Sequence, residues 1–168
     1  MKKVILGLLA LGLTFPAFTQ DVKVVELSEV VIRPMNFKYL NATNSKDAAI
    51  PVKTLERAVA SYDITEAEFY QEDFDYYSVS FFIPDGKIVA EYDNEGKIIR
   101  TIEKFKNISV PDDVKTAVLK RFPKWTITKD VYRVTYTEDN GANKVYKLTL
   151  KNGDKRMRVK VDDVGTFL

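Results

Sequence analysis

Hydrophobic positions along this chain recur with two periods, and the switch between them happens twice. In IPVKTLERAVASY (residues 50–62), Val52, Leu55, Val59 and Tyr62 fall on one face of a helix. Pro51 stands at its first position, where a missing N–H costs nothing. VPDDVKTAVLKRF (residues 110–122) repeats the pattern with Pro111 in the place of Pro51 and with Val114, Ala117, Val118 and Phe122 as its stripe. Asp112 and Asp113 in the first turn and Lys120 and Arg121 in the last suit the helix dipole, and Pro123 ends the segment.

After each helix the period drops to two. YYSVSFFI, KIVAEY and KIIRTIEKF follow the first helix; DVYRVTYT, KVYKLTL and KRMRVKV follow the second. The Asn, Asp and Gly residues between them are those that tight hairpins require, and Gly96 and Gly153 are expected in equivalent places. Tyr77, Val79, Phe81 and Ile83 point one way, as do Tyr132, Val134 and Tyr136, then Tyr146, Leu148 and Leu150, then Met157, Val159 and Val161. That face is the predicted core. Arg133, Lys147, Arg156, Arg158 and Lys160 fall on the opposite, wet face. The pattern predicts one α+β domain: an antiparallel sheet built from two tandem helix–three-strand repeats, residues 50–108 and 109–168, with helices packed on one face.

The remainder precedes the first helix. Lys2 and Lys3, the apolar run VILGLLALGLTF and the small residues of PAFTQ predict a signal peptide over residues 1–19, cleaved near Thr19–Gln20. The run is shorter than the ~20 residues of a membrane span, and no second one follows. Residues 20–49 are expected to hold a strand, VKVVELSEVVIRP, added to a sheet edge and stopped by Pro34, then a polar loop around NATNSKDAA. With no cysteine, neither a lipid-modified N-terminal cysteine nor a disulfide framework is available, so an exported domain must rely on burial alone. A periplasmic or secreted protein is expected.

The copies, with VKTAVLKRFPKWTITKDVYRV leading into VYKLTLKNGDKRMRVKVDDVGTFL, resemble the PepSY-like, β-lactamase-inhibitor-like domains of small exported bacterial proteins. The likeness spans roughly residues 50–168. It rests on the helix ending at Phe122–Pro123, the strand at Trp125 and the final turn before Phe167. The resemblance implies a tandem domain that binds or restrains other envelope proteins and has no catalytic residues.

Composition narrows the chemistry further. The absence of histidine and cysteine removes Ser–His–Asp and Cys–His triads and the usual zinc sites. A nucleotidyl transferase of the nicotinate-nucleotide adenylyltransferase type is disfavoured, because such enzymes hold phosphates with an HxGH-type motif and this chain also lacks a Gly-rich phosphate loop. TEAEFYQEDFDYY crowds Glu66, Glu68, Glu72, Asp73 and Asp75 among aromatics; it reads either as a glycosidase-type acid pair or calcium site, or as a solvated acidic loop. YDNEGK and TEDNGANK lack a calcium loop's length and terminal Glu and read as turns. No cofactor, metal or catalytic residue is expected.

Charge divides the chain. Residues 61–95 hold ten acids against Lys87 alone, a net of −9, whereas residues 96–160 hold seventeen Lys and Arg against seven acids, a net of +10. Either the halves attract each other across their junction or the charge serves a partner. Nucleic acid is not expected, since no recognition motif is present. The candidate partner-binding residues are Tyr76, Phe82, Phe69 and Tyr70, with Arg133, Arg156 and Arg158 on the basic face. Aromatics beside Ser78 and Ser80 would carry affinity and the basic face would set the association rate. In the competing readings, helices cover Tyr76 and Phe82 as a second core layer, or Tyr76, Ser78, Ser80 and Phe82 line a concave sheet for a small ligand or peptide.

Overall fold

Strands that alternate strictly can bury one face only if something apolar covers it, and here the helices supply the cover. A computed structural model describes residues 36–44 and 47–168. The chain runs α1 (Phe37–Thr43), α2 (Ile50–Ser61), a 3₁₀ turn (Ile64–Glu66), β1 (Tyr76–Ile83), β2 (Gly86–Asp93), β3 (Ile98–Lys106), α3 (Asp112–Arg121), β4 (Thr126–Thr137), β5 (Gly141–Asn152) and β6 (Lys155–Asp162). The six strands form one antiparallel sheet in chain order, so the protein is α+β with an open meander sheet. The expected signal segment, its cleavage site and the expected strand over residues 22–34 lie outside the described residues. Among the described residues, no helix is long and apolar enough to cross a membrane.

The core is the face that alternation predicts. Tyr77, Tyr132, Val134, Tyr136, Tyr146, Leu148, Leu150 and Val161 are buried, under Val52, Leu55 and Val59 of α2 and Val114 and Val118 of α3. The rings of Tyr132 and Tyr146 stack 4.4 Å apart across β4 and β5. β3 departs from simple alternation. A bulge between Glu91 and Tyr92 shifts the register, so Ile98 and then Thr101, Glu103 and Phe105 face inward.

The polar segment before α2 is not all loop. Residues 41–43 belong to α1, whose Tyr39 and Thr43 lie one turn apart and are both buried. Tyr39 sets its ring edge against Tyr136 at 5.3 Å, which ties α1 to the sheet. Asn36 starts the helix without capping it by side chain. Its amide instead donates to Ala60 O at 3.0 Å and Gly96 O at 3.2 Å and accepts from Ile98 N at 2.9 Å. Packing, rather than helix propensity, holds this short element.

Two hairpins share one geometry. In β1–β2, Tyr77 pairs Tyr92, Val79 pairs Ala90, Phe81 pairs Ile88 and Ile83 pairs Gly86. In β5–β6, Tyr146 pairs Val161, Leu148 pairs Val159, Leu150 pairs Met157 and Asn152 pairs Lys155, each position a constant 69 residues on. The turns that follow match as well. Asp93 Oδ1 accepts from Glu95 N and Lys97 N at 3.0 and 2.8 Å; Asp162 Oδ1 accepts from Val164 N and Thr166 N at 3.1 and 2.7 Å. Gly96 and Gly165 close them at φ of 86° and 92°. By hydrogen bonding, then, the counterpart of Gly96 is Gly165 and not Gly153, which sits in the tighter β5–β6 turn.

Candidate functional site

Because every described helix packs on the inner face, the outward side chains of the sheet remain open to solvent. Across the strands they line up in rows. One runs Phe82–Lys87–Lys104–Arg133–Val145, the next Ser80–Val89–Ile102–Thr135–Asn143. On the other side of the first come Lys106–Val131–Lys147–Lys160, then Lys129–Thr149–Arg158, then Lys151–Arg156. One end of the face is therefore cationic and its middle nearly neutral.

The predicted partner-binding residues fall into three groups. Tyr76 and Phe82 are 68% and 66% exposed, so no described helix covers them as a second core layer. They stand six residues apart on β1, about 20 Å at strand rise, with Ser78 and Ser80 between. Lys87 Nζ lies 4.9 Å from the Phe82 ring centre. Phe69 is exposed, but Tyr70 is half-buried, its ring stacked 5.4 Å from that of Tyr77. Tyr77 belongs to the inner face, so Tyr70 serves the packing of the approach loop rather than the outward patch; the Tyr77 hydroxyl also donates to Gln71 O. Arg133, Arg156 and Arg158 are exposed on the outer face, as predicted from alternation.

Polar chemistry is also found where the sequence did not predict it. Glu56 of α2 and Glu103 of β3 are 3% and 0% exposed, within hydrogen-bond reach of each other. Tyr39 Oη and Thr101 Oγ1 each donate to Glu103 Oε1 at 2.9 Å. Glu56 Oε1 and Glu103 Oε2 have no protein donor. Two carboxyl groups can meet this way only by sharing a proton, and burial raises the pKa of both accordingly. Lys144 of β5, which bonds Asn44 O and pairs with Asp163, each at 3.4 Å, exerts an opposing pull on both acids. Burial and the Glu103 charge likewise raise the Tyr39 hydroxyl. The signal was present: Glu56 interrupts the apolar stripe between Leu55 and Val59. Nothing in the sequence marked Glu103 as its partner.

This pair does not resemble a glycosidase site, in which two acids face each other across an open cleft. The acids of residues 61–95 that bond locally act as turn formers: Asp63 accepts from Thr65 N at 2.9 Å, and Asp93 closes the β2–β3 turn. Glu91 pairs with Arg100 at 3.7 Å. A cleft of about 740 Å³ lies away from Tyr76, Ser78, Ser80 and Phe82. It opens between α2 and β1, with Tyr62, Ala67 and Phe81 as apolar walls and Arg57, Asp63 and Glu66 at its rim. No family model matches the chain, and no curated protein or solved structure matches it.

Proposed function

We propose that this chain is a non-catalytic binding module, exported to the bacterial envelope and PepSY-like in kind, that docks an acidic exported protein on the open face of its sheet. The observation that carries the reading is the exposure of Tyr76 and Phe82 on a face no described helix covers. Aromatic rings beside small polar residues lose water at modest cost and suit the centre of an interface. The cations beyond Phe82 complement an acidic partner and speed its approach. Composition supports the non-catalytic part, since neither histidine nor cysteine is present. The matched hairpins further support a tandem origin, in a register that pairs β1 with β5 and β2 with β6.

The test is a comparison of the wild type with Y76A/F82A. Truncation should weaken capture of a stoichiometric partner from envelope extract at least about tenfold, as loss of two anchor residues does. The melting temperature should stay nearly unchanged, because both rings are exposed. Equal capture by both proteins would remove the reading, and so would a loss of several kcal/mol of stability. The cleft between α2 and β1 supports a second reading, a small apolar ligand held against Tyr62 and Phe81. A ligand that raises the melting temperature of the wild type and of Y76A/F82A alike would favour it.

A further inference from the structure

We infer that the outward face of β4–β6 is a binding site for a linear anionic polysaccharide bearing sulfate, phosphate or carboxylate groups along its length. Seven cations occupy it: Lys129 and Arg133 on β4, Lys147 and Lys151 on β5, and Arg156, Arg158 and Lys160 on β6. Among the described residues none of the seven forms an ion pair, and the one acid at an outward position of these strands, Asp162 at the end of β6, faces Val145 and accepts from Val164 N and Thr166 N. Lys147 faces Lys160 directly and Lys151 faces Arg156, while Lys104 of β3 faces Arg133. Like charges directly opposite each other destabilise a sheet. A face that only needed to be soluble would intersperse acids, as β2 and β3 do with Glu91 against Arg100.

The matched hairpins show that the fold does not require these charges. At equivalent outward places the first hairpin has Ser78, Phe82, Val89 and Glu91 where the second has Lys147, Lys151, Arg158 and Lys160. The inward places stay apolar in both except next to the turn, where Ile83 and Gly86 of the first hairpin are matched by Asn152 and Lys155. Burial thus accounts for the shared half of the pattern, and the packing of the described residues leaves the cations unexplained.

Shape and chemistry select the occupant. Three shallow grooves of about 520, 620 and 300 Å³ adjoin on this face; the first two share Lys129, Thr149 and Arg158, and the first and third share Lys147. Asp130, the one acidic side chain lining them, is buried on the inner side and accepts from Ile108 N at 3.1 Å. A continuous trough suits a chain better than a flat bilayer. No aromatic residue stands at an outward position of β4–β6, so unpaired bases have nothing to stack on. Lysines at the centre of the face are poor anchors for a protein interface. Cations about 5 Å apart across strands and about 7 Å apart along them, with threonine hydroxyls between, match anionic groups spaced on the scale of sugar rings.

Calorimetric titration with a heparin octasaccharide tests the inference. Binding should be measurable at low ionic strength and weaken at least about tenfold between roughly 50 and 200 mM salt. K129Q/K147Q/R158Q should lose roughly tenfold or more in affinity, whereas the charge-matched K120Q/K124Q/R57Q should stay within about threefold. K151Q/R156Q provides a second site variant with the same expected direction should the triple variant fold poorly. Y76A/F82A should bind the octasaccharide like the wild type, which separates this site from the partner reading. The inference is overturned if no binding is seen at low salt or if site and control variants lose equally. Tighter binding of charge-matched single-stranded DNA, an acidic peptide or anionic phospholipid vesicles would overturn it too.

Discussion

Desolvation of Glu56 and Glu103 outweighs the attraction of Lys144, so both carboxyl groups hold their protons well above the ordinary 4.5. The folded chain then binds more protons than the unfolded one from pH 4.5 upward, until the raised values are passed. Stability from this pair is complete below that window and declines as pH rises through it. The groups facing the pair are Tyr39 from α1, Thr101 on β3, Lys53 on α2 and Lys144 on β5; the hydroxyls of Thr101 and Tyr39 oppose the shift of Glu103 by donating to it, and the lysines oppose it by charge. Glu56→Gln replaces the shared proton with an amide donor that does not titrate. Thermal melts at pH 5, 7 and 9 should show the wild type falling and E56Q nearly flat, with E56Q the more stable at pH 9. Parallel slopes would mean that the pair does not set the dependence.

Among the elements, α1 shows what periodicity leaves out. Seven residues are too few to show a helical period and no side chain caps them, so they give no signal on their own; the helix exists because Tyr39 and Asn36 find partners far along the chain. Asn36→Ala would leave Ile98 N without its acceptor and two buried carbonyls without a donor. Each such orphan costs about 1–3 kcal/mol, so a loss of at least about 2 kcal/mol is expected, seen as a lower urea midpoint at unchanged slope. A change below about 0.5 kcal/mol would show that α1 is dispensable to the sheet. The same limit explains β3. The bulge at Glu91/Tyr92 inserts one residue, and alternation cannot locate Glu103 on the inner face until that insertion is known. Strands without such a break, β1, β5 and β6, were legible down to the face of each side chain, and with them Arg156, Arg158, Tyr76 and Phe82 as outward residues.

At the level of the whole molecule, two hairpins with a like inner face and like turns differ at most of the places they show to solvent, Ser80/Thr149, Lys87/Arg156 and Asp93/Asp162 being the ones kept. The sequence suggested a different correspondence, β1 with β4, because each helix is followed by three strands, which sets Gly96 against Gly153. Only the hydrogen bonds of Asp93 and Asp162 separate the two kinds of turn. If the outward half of each hairpin is free to serve function, it can be exchanged without unfolding the sheet. K147S/K151F/R156K/R158V/K160E gives the five cationic outward places of β5–β6 the residues found at the matching places of β1–β2 and leaves Tyr146, Leu148, Leu150, Met157, Val159 and Val161 in place. The variant should keep the strand signal of the wild type in circular dichroism and melt no lower, since it removes the facing pair Lys147–Lys160 and adds no buried group. It should also lose octasaccharide binding entirely at low salt. Unfolding of this variant would show that the outward side chains help to specify the sheet and that the hairpins are not equivalent scaffolds. Retained binding would place the anion site elsewhere.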